Sequence, residues 1–228
     1  MADSLTSAQT RLDYVRSQVE KARRRFGAPP EEVKLIAVSK TFDKEAVEPF
    51  LQAGQRLFGE NRVQEAKEKW AHLKAAYPDV ELHLIGPLQT NKAREAVALF
   101  DVIETVDRDK LASILASEMK RAGKRLDCFV QVNIGGEEQK AGIAVEETLG
   151  FVDRCRSEHG LHVVGLMCIP PDGEAPGPYF ALLSQLAREA RLDKLSMGMS
   201  GDFETAIAMG ATHVRVGSAL FGSRSNPA

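Results

Sequence analysis

The run 35–42, LIAVSKTF, ends an apolar segment on an amine. A short apolar run of this kind reads as a buried strand, and the residue at its end is where a sheet or barrel meets its cleft. Lys40 is therefore either a solvated loop lysine or a desolvated amine able to attack a carbonyl. Two further sets of residues bear on that choice. Ser200-Gly201 follows the apolar run 194–197, and Gly217-Ser218 follows the run 213–216. Gly and Ser are common in ordinary turns. At a strand-to-helix turn they also let backbone N–H groups close on an anion, which a helix N-terminus favours. Arg215 lies two residues before Gly217, so the two share one side of a strand. It makes either an external salt bridge or an inward donor.

The elements that must position these residues alternate along the chain. Apolar runs occur at 33–38, 56–58, 81–85, 102–106, 128–134, 162–168, 194–197 and 213–216. Segments suited to helices lie between them, among them 63–74, 109–122, 145–157, 178–191 and 203–209, with Asp202 placed to cap the last. Strands alternating with helices imply parallel pairing with right-handed crossovers. Eight such units imply a closed (β/α)8 barrel of the TIM type, in which phosphate sites are frequently built by the loops after strands seven and eight. A doubly wound open sheet is the rival, but no GxGxxG follows the first strand. Ahead of the barrel, Leu5, Leu12, Val15, Val19, Ala22 and Phe26 recur at helical spacing, and Arg23, Arg24 and Arg25 form a solvated last turn. The expected layout is one domain over 1–228, with an N-terminal helix at 1–27, the Pro29-Pro30 break, and a barrel at 33–222.

Closure puts the eighth strand beside the first, so the two small-residue turns and Lys40 lie on neighbouring strands about 5 Å apart. The implied ligand has a phosphate at one end and, a ring-width away, a carbonyl that an amine can trap as a Schiff base. Pyridoxal 5′-phosphate (PLP) has that layout, and so does an aldolase substrate. An inward Arg215 would donate to a ring nitrogen and keep it unprotonated, which weakens the ring as an electron sink.

Composition narrows the remaining classes. The 228 residues carry a formal charge of −2, giving no electrostatic case for nucleic acid. No apolar run approaches the roughly 18 residues of a membrane span, and the N-terminus lacks a secretory apolar core. Cys128, Cys155 and Cys168 are an odd count without CxxC spacing, which fits a reducing cytosol and argues against a disulfide framework or zinc site. His83 and His213 read as core or rim histidines. Lys92 reads as a first-turn helix residue or a second amine, and Lys140 as a loop charge or a cation near the mouth.

The motifs VSKTF around Lys40, FGENRVQE at 58–65, HLIGPLQTNK at 83–92, GLMCIPP at 165–171, LSMGMSGDFETAI at 195–207 and VRVGSALFG at 214–222 run in order through nearly the whole chain. In these the sequence resembles the pyridoxal phosphate homeostasis protein family, which is similar to the barrel domain of alanine racemases (fold type III among PLP proteins). The resemblance implies Lys40 as the internal aldimine, Asn61 and Met167 as cofactor-pocket neighbours, Ser200, Gly201, Gly217 and Ser218 around the phosphate, and Arg215 near the ring nitrogen. It implies a cytoplasmic PLP carrier or regulator without turnover, exchanging cofactor with free amino acids and apo PLP-dependent enzymes. The alternative is an amino-acid racemase or related PLP enzyme. Racemisation needs a base on each face of the α-carbon, and the similar racemases take the second, a tyrosine, from an extra C-terminal domain. This chain ends shortly after its last strand, and Tyr14, Tyr77 and Tyr179 offer no evident substitute. With no covering domain to dimerise through, a monomer is expected.

Overall fold

Parallel strands cannot be joined by tight turns, so each apolar run must be followed by a crossover that returns the chain to the same end. In the computed structural model, which describes residues 2–27 and 33–222, that alternation closes on itself. The strands are β1 (Lys34–Val38), β2 (Leu57–Glu60), β3 (Glu81–Leu84), β4 (Val102–Val106), β5 (Asp127–Val132), β6 (His162–Cys168), β7 (Lys194–Ser196) and β8 (His213–Val216). They form a closed barrel in chain order, and β8 pairs in parallel with β1, Ile36 opposite Arg215 and Ala37 opposite Val216. The fold is the single-domain (β/α)8 barrel expected from the alternation. Every strand lies within two residues of its apolar run.

The helices are α1 (Ala2–Phe26), α2 (Lys44–Gln52), α3 (Val63–Ala76), α4 (Ala93–Leu99), α5 (Asp109–Ala122), α6 (Thr148–Ser157), α7 (Gly177–Glu189), α8 (Phe203–Ala208) and α9 (Ser218–Phe221). The segment expected as one helix over 145–157 opens instead with a separate 3-10 turn, Val145–Glu147. Asp202 occupies the N-cap position of α8 but makes no side-chain cap bond; its Oδ1 accepts from the Met199 N–H at 2.6 Å instead. Helix α1 packs across α2, α8 and α9. It buries Ala8, Leu12, Val15, Val19 and Ala22, while Phe26 stays 44% exposed with the Arg25 guanidinium over its ring. Of the arginine run, Arg23 and Arg24 both pair with Glu20. The Pro29-Pro30 break and residues 223–228 lie outside the described residues.

The main apolar core is the layer between strands and helices, where Phe58, Trp70, Leu82, Phe100, Phe151 and Phe180 are fully buried. Cys128, Cys155 and Cys168 are free and buried, and burial pushes the Cys155 and Cys168 thiols up to about 12. Inside the barrel the filling is partly polar. Val102, Phe129 and Met167 form a small apolar cluster, and His83, Glu104, Ser196, His213 and Arg215 are buried with them.

Candidate cofactor site at the C-terminal mouth

Lys40 lies two residues past the end of β1. Ser39 accepts from the Phe42 N–H at 3.2 Å, closing a four-residue turn with Lys40 at its corner, and Thr41 is left-handed (φ 68°). Phe42 then stacks on Phe221 of α9, ring centroids 5.0 Å apart. The half-buried Lys40 lines a cavity of about 310 Å3 at the C-terminal mouth of the barrel, together with Asn61, Ser200, Gly201, Arg215, Gly217 and Ser218. That volume is at the lower end for small-molecule sites and suits one ring with its substituents.

Each wall has a local cause. Asn61 follows β2 and is backed by Gly86: a Cβ on that glycine would sit 2.3 Å from the Asn61 carbonyl oxygen, so no larger residue fits. Ser200-Gly201 and Gly217-Ser218 form the turns after β7 and β8, and the Gly217 N–H donates to Ser200 Oγ at 3.3 Å. The two turns therefore make one wall. A Cβ at Gly201 would meet nothing within 4 Å, and the nearest atoms to one at Gly217 would be those of Val38, at 3.4 Å. Neither glycine is required by backbone conformation or packing. What their missing side chains leave is room for a group to approach the backbone closely, and this fits a phosphate. Helices α8 and α9 are six and four residues long, so individual N–H groups matter here more than a macrodipole.

Arg215 points inward and is 4% exposed. Its Nη1 donates to Ser196 Oγ at 2.7 Å and its Nη2 to the Cys168 carbonyl at 2.8 Å. The external salt bridge is thereby excluded. Behind it runs a buried polar chain: Ser196 Oγ donates to Glu104 Oε2 at 2.5 Å, Glu104 Oε1 meets His83 Nδ1 at 2.6 Å, and His83 Nε2 meets Glu81 at 2.9 Å. Burial pulls the His83 imidazole down, but its bonds to Glu104 and Glu81 outweigh that and hold it up to about 9. Burial would raise Glu104, yet bonding to His83 and the nearby Arg215 charge leave it below the usual carboxylate range. His213, buried without a carboxylate bonded to it, is pushed down to about 3. With Lys40 and Arg215 in the lining and no Asp or Glu among the described lining residues, the cavity favours an anionic ligand.

One expected residue is not at the wall. Met167 is fully buried within the barrel, in register with Ser196 and Gln131 and packed with Val102 and Phe129. The lining residue from that segment is Ile169, two positions on. Val38, Phe42, Ile85 and Met199 also line the cavity. Their signal in the sequence was position alone, at or just past strand ends. Ser196, which accepts from Arg215, and Glu104 behind it carried none, because a polar side chain in an apolar run does not show which way it points. Lys92 pairs with Glu95 and lines a separate cavity with Arg62 and Arg108. Lys140 pairs with Glu137 and donates to the Pro170 carbonyl at 2.9 Å, fastening two mouth loops together. No group of three potential metal ligands occurs among the described residues, and no described helix is long and apolar enough to cross a membrane.

Comparison with known proteins agrees with this architecture. The alanine racemase N-terminal domain family model matches residues 10–225. The pyridoxal phosphate homeostasis protein of Vibrio alginolyticus is 40% identical over 230 residues, covering 96% of this chain and 99% of that protein. The Escherichia coli K12 protein of the same name is 38% identical over 222 residues, covering 93% and 95%. Among solved structures, Synechococcus elongatus PipY with PLP bound is 38% identical, with a TM-score of 0.82 and coverage of 94% of this chain and all of that one. An alanine racemase from Clostridium difficile 630 shares the fold at 13% identity, TM-score 0.72, and this chain spans 57% of its length. Near-full-length identity of this order, on a barrel whose last two turns face the amine after its first strand, places the chain in the alanine racemase N-terminal domain family and, within it, among the pyridoxal phosphate homeostasis proteins.

Proposed function

We propose that this chain binds PLP covalently through the Lys40 amine and serves as an intracellular carrier or regulator of the cofactor, without turnover of its own. One observation carries the reading: Lys40, Arg215 and both serine–glycine turns line a single cavity. PLP supplies an aldehyde that condenses with an amine and a pyridine ring that can accept electrons. Lys40 provides that amine. Ser200, Gly201, Gly217 and Ser218 receive the phosphate, and Val38, Ile85 and Ile169 offer apolar surface to the ring. Arg215, held by Ser196 and Cys168, presents a permanent donor toward the ring nitrogen, so that nitrogen stays an acceptor and the ring a poor electron sink. The solved structure of PipY with PLP bound supports a PLP site on this scaffold.

Chemistry on an amino acid would need a second base. Among the described lining residues, Lys40 is the sole group suited to that work. Tyr14 is 63% exposed on α1, Tyr77 ends α3, and Tyr179 donates to Glu174. The mouth loops leave the cofactor accessible to free amino acids and to apo PLP-dependent enzymes, the recipients we propose. Buried free thiols suit a reducing cytoplasm, and we propose a monomer there.

The test is a visible spectrum of PLP-treated wild type beside Lys40→Ala, with borohydride trapping and mass mapping. The expected result is an adduct on Lys40 and no visible band in the variant. An adduct mapped to another lysine would overturn the assignment, and racemase, transaminase or decarboxylase turnover at ordinary enzyme rates would restore the alternative.

A further inference from the structure

The turn that carries Lys40 is held from behind by a buried ion pair with no place in the cavity. Glu60, the last residue of β2, points out of the barrel beneath α3, where it meets Lys69 and Trp70 of that helix. Its side chain is fully buried. Its Oε1 accepts from Ser39 Oγ at 2.6 Å and Trp70 Nε1 at 3.0 Å, and it pairs with the Lys69 ammonium at 2.8 Å. Lys69, whose side chain is 4% exposed, donates onward to the Ser39 carbonyl at 2.6 Å and the Phe42 carbonyl at 2.7 Å. Those are the two ends of the Lys40 turn. Glu65, 3.8 Å from the same ammonium, accepts from the Thr41 N–H inside the turn.

This matters because the turn is strained. Thr41 is β-branched and sits at φ 68°, in the third position of a turn where such a φ normally calls for glycine. A conformation of this kind persists only where its surroundings over-determine it. Lys69 provides that constraint, bonding both flanking carbonyls with one cation, and Glu60 keeps the cation in place.

We propose that Lys69, anchored by Glu60, is the positioning residue for the Lys40 amine: it locks the 39–42 turn so that Lys40 stays at the corner facing the cavity. The proposal rests on the PLP reading of that cavity. Lys69 itself touches neither cavity nor cofactor.

The test uses Glu60→Gln/Lys69→Met, which removes the cation without leaving a buried carboxylate charge and keeps an oxygen for Ser39 and Trp70. Borohydride-trapped attachment of PLP to Lys40 should be about tenfold slower than in wild type, and release of bound PLP about tenfold faster. Adding Thr41→Gly should restore both rates to within about threefold of wild type, because glycine holds the left-handed turn without strain. Unfolding free energies measured beside the rates separate this from loss of stability, which alone would leave the rates of the folded protein unchanged. Should the double variant fail to fold, Glu65→Ala, at the half-buried first turn of α3, reports instead; removing the Thr41 acceptor should change both rates by about threefold in the same direction. Wild-type rates in the variants, or slowed rates that Thr41→Gly leaves unchanged, would overturn the positioning role while the PLP site stood. Wild type that forms no Lys40 adduct at all would remove both.

Discussion

Raising the pH from 6.5 to 9 should weaken the fold through one buried histidine. His83 is held up to about 9 by Glu104 and Glu81, against an ordinary value of 6.5. Below 6.5 both the folded and unfolded forms carry the proton, and the stabilisation is complete. Between 6.5 and 9 the unfolded chain gives up its proton while the folded chain keeps it, so stability falls by about 1.4 kcal/mol per pH unit. Across the window that amounts to about 3 kcal/mol, a large fraction of the stability of most domains. The assay is denaturant unfolding at a series of pH values, wild type beside His83→Gln, compared as slopes because the variant starts from a different stability. The buried thiols titrate above this window and are common to both proteins, so they cancel in the difference. The variant should lose about 3 kcal/mol less than wild type between pH 6.5 and 9. Parallel profiles would refute the charged His83 and, with it, the ionic character of the chain behind Arg215.

Two substitutions separate fold from site. Gly201→Ala adds a methyl that meets nothing within 4 Å, so its unfolding free energy should stay within about 0.5 kcal/mol of wild type; PLP affinity, followed by the visible band, should fall about tenfold or more. Gly86→Ala drives a Cβ to 2.3 Å from the Asn61 carbonyl oxygen, and should cost about 1–3 kcal/mol in unfolding measurements as the Asn61 wall shifts, weakening PLP binding in parallel.

Much of the architecture was legible because parallel strands and their crossovers differ so sharply in pattern. Helix α5 was readable to both ends, since a regular apolar stripe runs up to Gly123 in the left-handed conformation that ends it. Helix α2 was harder: Pro49 lies inside it, where a helix rule predicts a break. Lys40 and the two serine–glycine turns were legible as strand-end chemistry, and the structure brings them to one cavity. Met167 lies buried below the mouth while Ile169 lines it, because residues two apart along a strand share a side but differ in height along the barrel, and height is not legible in the sequence.

The order of the eight units, the mouth to which each loop belongs, and the residue types able to hold an amine-reactive phosphate ligand follow from the chain alone, since patterning and turn chemistry are local properties. The side on which each strand residue points does not. Strands of a parallel barrel are buried on both faces, so the alternation that marks inside from outside in a half-exposed sheet is erased. Closure and register alone turned Arg215 inward onto Ser196 and set Glu60 outward beneath Lys69, making one a wall of the cavity and the other the brace behind its lysine.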